Sequence, residues 1–291
     1  MSATVRAPAP IDEEDMVSSV SRSVFIGLSA ALLVASATVY AQQPRPALDV
    51  HFVATPEEVV DRMLAMAKVT DKDFVIDLGS GDGRIVIAAA KKYGARGMGV
   101  DLDPQRIAEA RANLQKAGVG DKVEFRQQNL FETDLSKATV LTMYLLPRLN
   151  LQLRPALLDL KPGTRLASHA FDMGEWRPER HEKIDGRDAY FWVVPAKVRG
   201  RWQVENGGRK FELELTQQYQ QIEGVARFGD RTLLLRETSL RGDEIRFVLE
   251  IEDGKPELFR GRVNGNRIDP LPAEAGAAAR PGGEWRAARA S

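Results

Sequence analysis

The 291-residue chain has no cysteine and only three histidines. Disulfides, thiolate metal sites and cysteine nucleophiles are therefore all excluded. His51, His169 and His181 are scattered in sequence, so no metal centre is expected. An excess of one charge is missing too: forty-one basic residues balance forty-one acidic ones. No overall field favours nucleic acid, which is not expected as a partner. Long apolar runs are also absent, with one exception. "SRSVFIGLSAALLVASATVYAQQ" carries Arg22, is uncharged from Ser23 to Gln43 and closes on Val39-Tyr40-Ala41. A basic flank, an apolar centre and small residues at the last and third-last positions describe a signal peptide. The run is at the lower limit for crossing a bilayer, so an uncleaved membrane anchor is the alternative. The expected location is accordingly membrane-associated or exported to the cell envelope.

Four regions follow from the patterning. Residues 1–45 hold the signal peptide or anchor and the start of a linker, "QQPRPALDV". Residues 46–196 alternate short apolar runs with helical stretches: "FVID", "GMGVDLD", "KVEFRQQN", "TVLTMYLL" and "TRLASHAF" read as strands. Gly94 and Gly118 are placed to end helices, while Asp103-Pro104 is placed to start one. Such alternation predicts an α/β fold, a Rossmann-like doubly wound sheet with right-handed crossovers. Residues 197–271 change to period-two alternation, as in "KFELELTQ" and "EIRFVLEI", punctuated by "NGG", "FGD", "RGD" and "NGN". A small antiparallel β domain, barrel or sandwich, is expected there. Residues 272–291, rich in Ala, Gly, Pro and Arg, read as a disordered tail.

The chemistry concentrates in "DLGSGDGRIVIAAA", residues 77–90. In an open α/β sheet ligands bind beyond the carboxyl ends of the strands. Glycines there let a ligand approach the backbone. Gly79 and Gly81 fit the dinucleotide fingerprint, but its last glycine position is Arg84, and no Gly-Lys-Ser/Thr marks a P-loop. Asp77, just before the loop, repels a pyrophosphate and suits a cationic or amino group. Asp101 closes the next strand, where a carboxylate can accept both hydroxyls of a ribose. The pocket suits a ligand with a ribose, a cationic part and no phosphate, and S-adenosylmethionine has those properties.

At these residues the chain resembles the class I, seven-strand S-adenosylmethionine-dependent methyltransferases. A nearer likeness is to the lysine methyltransferases of the mitochondrial ATP synthase c-subunit and adenine nucleotide translocase family, with their bacterial relatives. It is carried by "FVATP" at 52–56, "DLGSGDGRIVIAAAKKYGARGMGVDLDP" at 77–104, "YLLP" at 144–147 and "SHAFDMGEW" at 168–176. The resemblance implies that Asp77, Gly79, Gly81 and Asp82 line the methionine part, that Asp101 holds the ribose and that Thr55 closes over the cofactor. Thr55-Pro56 reads equally as a helix N-cap. Asn129 stands where such enzymes often carry an Asp for the adenine amino group, and its side-chain carbonyl can still accept that bond.

For the acceptor, Tyr144-Leu145-Leu146-Pro147 replaces the N-P-P-Y usual in enzymes that methylate planar nitrogens. A lysine, with an ordinary pKa near 10.4, must lose its proton before attacking, which an apolar, aromatic-walled pocket favours. Tyr144 and Trp176 are candidates for that wall, His169 for orienting or accepting a proton, and Asp172 for pairing with an incoming ammonium. The expected reaction is methyl transfer to a lysine of a protein partner, membrane-associated proteins included. Alternatives are small-molecule methylation and a non-catalytic envelope binding protein that works through its β domain.

Overall fold

The computed structural model describes residues 52–252, 254–272, 280–281 and 284–290. The chain divides into two units, Met1–Ala47 and Leu48–Ser291. The described residues belong to the second. The expected signal peptide or anchor lies outside the described residues. Among those described, no helix is long and apolar enough to cross a membrane.

Helix α1 (Glu57–Met66) leads into β1 (Phe74–Leu78), α2 (Arg84–Tyr93), β2 (Arg96–Asp101), α3 (Pro104–Ala117), β3 (Val123–Gln127), β4 (Val140–Met143), α4 (Pro147–Leu158) and β5 (Arg165–His169). A hairpin of β6 (Arg180–Ile184) and β7 (Arg187–Val193) completes a sheet of order β3-β2-β1-β4-β5-β7-β6. Strands β1 to β5 run parallel, whereas β7 is antiparallel to both its neighbours. This is the expected Rossmann-like methyltransferase sheet. Strand order reverses between β1 and β4, which opens a crevice at their carboxyl ends.

Local chemistry explains the boundaries. The Asp103 side chain accepts from the Gln105 N–H at 2.8 Å, and Pro104 follows in the first turn of α3. Gly94, with φ of 75°, ends α2 by donating its N–H to the Ala90 carbonyl. The β6–β7 hairpin, its strands implied in number by the seven-strand resemblance, was not assigned to residues from the sequence. Its turn, Asp185-Gly186, has φ of 46° and 80°, the pair of positive values a two-residue primed turn requires.

The second sheet contains β8 (Gly200–Asn206), β9 (Arg209–Gln218), β10 (Gln221–Phe228), β11 (Arg231–Leu234), β12 (Arg236–Arg241), β13 (Glu244–Glu252), β14 (Lys255–Asn264), β15 (Arg267–Pro270), β16 (Arg280–Pro281) and β17 (Trp285–Arg289). Its order is β11-β10-β9-β8-β17-β15-β14-β13-β12, with β16 beside β14. The two ends approach each other: the Leu235 N–H donates to the Gly224 carbonyl and the Thr238 hydroxyl to the Ile222 carbonyl. The result is a nearly closed β barrel, filled by side chains that include Trp202, Phe247, Phe259 and Trp285.

One expectation is corrected here. The tail read as disordered from 272 onwards contains β17, which pairs with β8 and β15 and buries Trp285. In "EWRAAR" the inward residues Trp285 and Ala287 alternate with charged ones, but glycine, proline and alanine around them masked that period in the sequence.

Candidate functional site

A cleft of about 150 Å³, open to solvent, lies at the carboxyl ends of β1, β2 and β4. Its floor is the turn between β1 and α2. Gly79 and Gly81 have φ of 73° and 53°, which favour glycine. A Cβ on Gly81 would stand 2.1 Å from the Phe52 ring. The segment 52–55 thus lies directly against the loop, and both line the cleft.

Asp77 is 2% exposed and, next to last in β1, faces Thr142 of β4, whose hydroxyl donates to Asp77 Oδ1 at 2.6 Å. Burial pushes the Asp77 carboxyl up to about 7, the Thr142 hydrogen bond opposes that, and the Asp101 and Asp82 charges add to it. Asp101 is fixed by two backbone groups, the Gly81 N–H to Oδ2 and the Asp103 N–H to Oδ1, each 2.9 Å. Asp82 is paired with Arg84, whose Nη2 lies 2.6 Å from Asp82 Oδ2. Arg84 Nη1 also donates to the Thr55 carbonyl at 3.0 Å and so anchors the segment over the cleft. Sequence reasoning used Arg84 only as a departure from the dinucleotide fingerprint and missed this role. Thr142 was missed as well, hidden inside the apolar run of β4.

Thr55 is buried, lines the cleft and exchanges a 3.1 Å hydrogen bond with His169 Nδ1. The N-cap role also expected of it is not seen, because Pro56 occupies the cap of α1 and no side chain hydrogen-bonds there. Burial, aided by the charge of Arg187, depresses the His169 pKa to about 4. The imidazole is therefore neutral around pH 7. Its ring centroid is 4.0 Å from that of Tyr144, which lines the cleft and stacks on Phe171 at 6.3 Å. Asn129 also lines the cleft, with its side-chain oxygen accepting from the Phe131 N–H at 3.1 Å and its amide donating to Glu132.

Two expectations are not met. Asp172 is absent from the cleft wall; it is exposed and accepts from the Gly174 N–H within its own turn. Trp176 is 0% exposed and stacks on Tyr219 of the barrel at 6.1 Å, so it is a core residue and not a wall of the acceptor pocket. In sequence its partner belongs to a different sheet, and no local pattern links the two.

The donor set fits a cationic nucleoside ligand. Asp77 is a buried carboxylate whose charged neighbours are two further carboxylates, and Arg84 neutralises Asp82 from the side. A positive centre against Asp77 would relieve that repulsion, while a phosphate would increase it.

Comparison with known proteins agrees. Residues 77–180 match the ANTKMT methyltransferase domain family. A protein-lysine N-methyltransferase of Saccharolobus islandicus is 48% identical over 151 residues, covering 50% of this chain and 94% of that protein. The human lysine N-methyltransferase of the ATP synthase c-subunit is 28% identical over 198 residues, covering 67% of this chain and 84% of that protein. Among solved structures, an RNA methyltransferase of Salinibacter ruber in complex with S-adenosyl-L-homocysteine is 54% identical, with 50% of this chain and 96% of that one covered and a TM-score of 0.49.

Proposed function

Since the chain belongs to the ANTKMT family of methyltransferases and uses S-adenosylmethionine, we propose that it methylates the ε-nitrogen of a protein lysine. The observation that carries this reading is the 48% identity to a protein-lysine N-methyltransferase of which 94% is covered. The balanced charge gives no electrostatic term for a polyanionic acceptor.

When bound, S-adenosylmethionine supplies an electrophilic methyl group on a sulfonium leaving group. In this proposal Asp77 faces the cationic part of the cofactor, and Asp101, held by two backbone N–H groups, accepts from the ribose. Asn129 keeps a lone pair for the adenine amino group beside its bond to Phe131. Gly79, on the cleft wall, admits the close approach, Gly81 makes room for the Phe52 ring against the loop, and Thr55, tied to Arg84 and His169, covers the site. Tyr144, beside His169 and Phe171, forms an aromatic wall for the lysine side chain. Desolvation against it lowers the lysine pKa, and the released proton passes to water. A histidine with a pKa of about 4 is a poor proton acceptor, so His169 orients Thr55 and Tyr144 rather than acting as a base. With the cofactor bound, the lysine nitrogen would take the methyl group as the S–C bond breaks, and the cleft residues would contribute by orienting the two reactants.

The test is incorporation of label from methyl-labelled cofactor into a cell extract, followed by protease or nuclease digestion. Protease-sensitive, nuclease-resistant label supports the proposal. Nuclease-sensitive label assigns an RNA acceptor and overturns it.

A further inference from the structure

The barrel does not merely follow the methyltransferase sheet; one of its turns is built into it. Tyr219 and Gln220 form the two-residue turn between β9 and β10. Tyr219 has a φ of 56°, at the position where such turns usually take glycine. A residue with a Cβ holds that conformation only where its surroundings fix it. Here the ring packs into the methyltransferase core, stacked on Trp176 with planes 12° apart. Gln220 donates to the Arg177 carbonyl at 2.8 Å. Arg154 of α4 lies 5.7 Å over the Tyr219 ring and donates to the Met173 carbonyl at 2.9 Å. Three contacts thus run from the turn to residues 173–177.

That segment is continuous with the aromatic wall. Met173 bridges to Trp176, and Asn150 holds the carbonyls of Phe171 and Asp172. Phe171 in turn stacks on Tyr144. The ring and polar contacts named above end on Arg154 and on residues 173–177, not on Asp77, Asp101 or the glycine loop.

We infer that the β barrel is a clamp for the acceptor side of the site, with Tyr219 as its positioning residue. Through Trp176 and Arg154 it fixes the 170–177 segment and hence the Phe171–Tyr144 wall, while leaving cofactor binding untouched. This rests on the proposal that Tyr144 lines the acceptor pocket. Disruption of the turn loosens the segment that backs Tyr144 on the acceptor side, so it raises the acceptor KM.

The experiment compares the full chain with Tyr219→Ala and Tyr219→Phe, the latter keeping the ring. Backbone hydrogen exchange is followed in 170–177 and, as a control, in 74–101. Cofactor Kd and acceptor KM are measured alongside. Tyr219→Ala is expected to lose about tenfold protection in 170–177 and none in 74–101. Its cofactor Kd should stay within about twofold of wild type while its acceptor KM rises about tenfold. Tyr219→Phe should match wild type throughout. Unchanged exchange in 170–177 in a folded Tyr219→Ala protein overturns the clamp. So does loss of cofactor affinity equal to the rise in KM, which would mark a general structural role. The exchange readout does not depend on which molecule accepts the methyl group, so a failed lysine assignment is distinguishable from a failed clamp.

Discussion

Asp77 and Thr142 stand opposite each other in the parallel pairing of β1 and β4, with the threonine hydroxyl 2.6 Å from the carboxylate. This hydrogen bond draws the Asp77 pKa down, against burial and two neighbouring carboxylates. Thr142→Val keeps the shape and removes the donor. A charged buried acceptor that loses its partner costs roughly 1–3 kcal/mol. Cofactor affinity at pH 7 is expected to fall about tenfold by calorimetry, and an unchanged Kd contradicts the assignment of Asp77 to the cationic part.

Cofactor binding should release a proton in a defined pH window. With its pKa raised from 3.8 to about 7, Asp77 is largely protonated in the free protein at pH 6, and a cationic ligand selects the ionised form. Titrations at pH 6 in buffers of different ionisation enthalpy are expected to report close to one proton released, against almost none at pH 8.5. The same shift has a sign for stability: the folded form keeps a proton that the unfolded chain loses near 3.8. This contribution, full below about 4, is lost as pH rises towards 7. Asp77→Asn should flatten that decline in thermal melts of the ligand-free protein.

His169 gives the opposite slope. Its pKa falls from 6.5 to about 4 on folding, so the unfolded chain binds the extra proton and stability drops as pH falls from about 6.5 to 4. His169→Phe preserves the ring beside Tyr144 but removes the bond to Thr55. Its melting temperature should depend less on pH across this window. Its kcat profile above pH 5 should keep the wild-type shape, with the cofactor bound about five- to tenfold more weakly through the loosened Thr55. A kcat limb near 6.5 that disappears in this variant would restore His169 as a base.

Arg84 ties together Asp82 and the Thr55 carbonyl. Breaking a fully buried ion pair costs about 3–5 kcal/mol. Here the Arg84 side chain is 35% exposed, so about 1–2 kcal/mol is expected for Arg84→Met. Asp82→Asn in the Arg84→Met background should recover part of that loss, because the stranded charge is gone. Additive effects in the double-mutant cycle would show that the pair is not coupled.

Much of the methyltransferase sheet was legible because its signals are local. Asp103-Pro104, Gly94 and Gly118 mark helix ends by cap chemistry, and Asp77 and Asp101 stand at the ends of adjacent strands around a glycine loop. The hairpin of β6 and β7 was not read, although Asp185-Gly186 is a primed-turn pair, because β6 is polar and mostly exposed. What the sequence could not reveal is long-range. The pairing of Asp77 with Thr142 depends on register between strands, and that of Thr55 with His169 on the arrival of a distant β5 residue. Trp176 looked like a pocket wall in "SHAFDMGEW" until the barrel supplied Tyr219 as its partner. For β17, the alternation in "EWRAAR" is too short to stand out beside the glycine and proline before it.

The most direct measurement is tandem mass spectrometry of proteins labelled by the full chain with methyl-labelled S-adenosylmethionine, in extracts from cells that lack it, with Asp77→Asn in parallel. The account predicts methyl groups on lysine ε-nitrogens, present with the wild-type protein and absent with the variant. Label confined to any other residue type or to RNA, or equal labelling by Asp77→Asn, contradicts it.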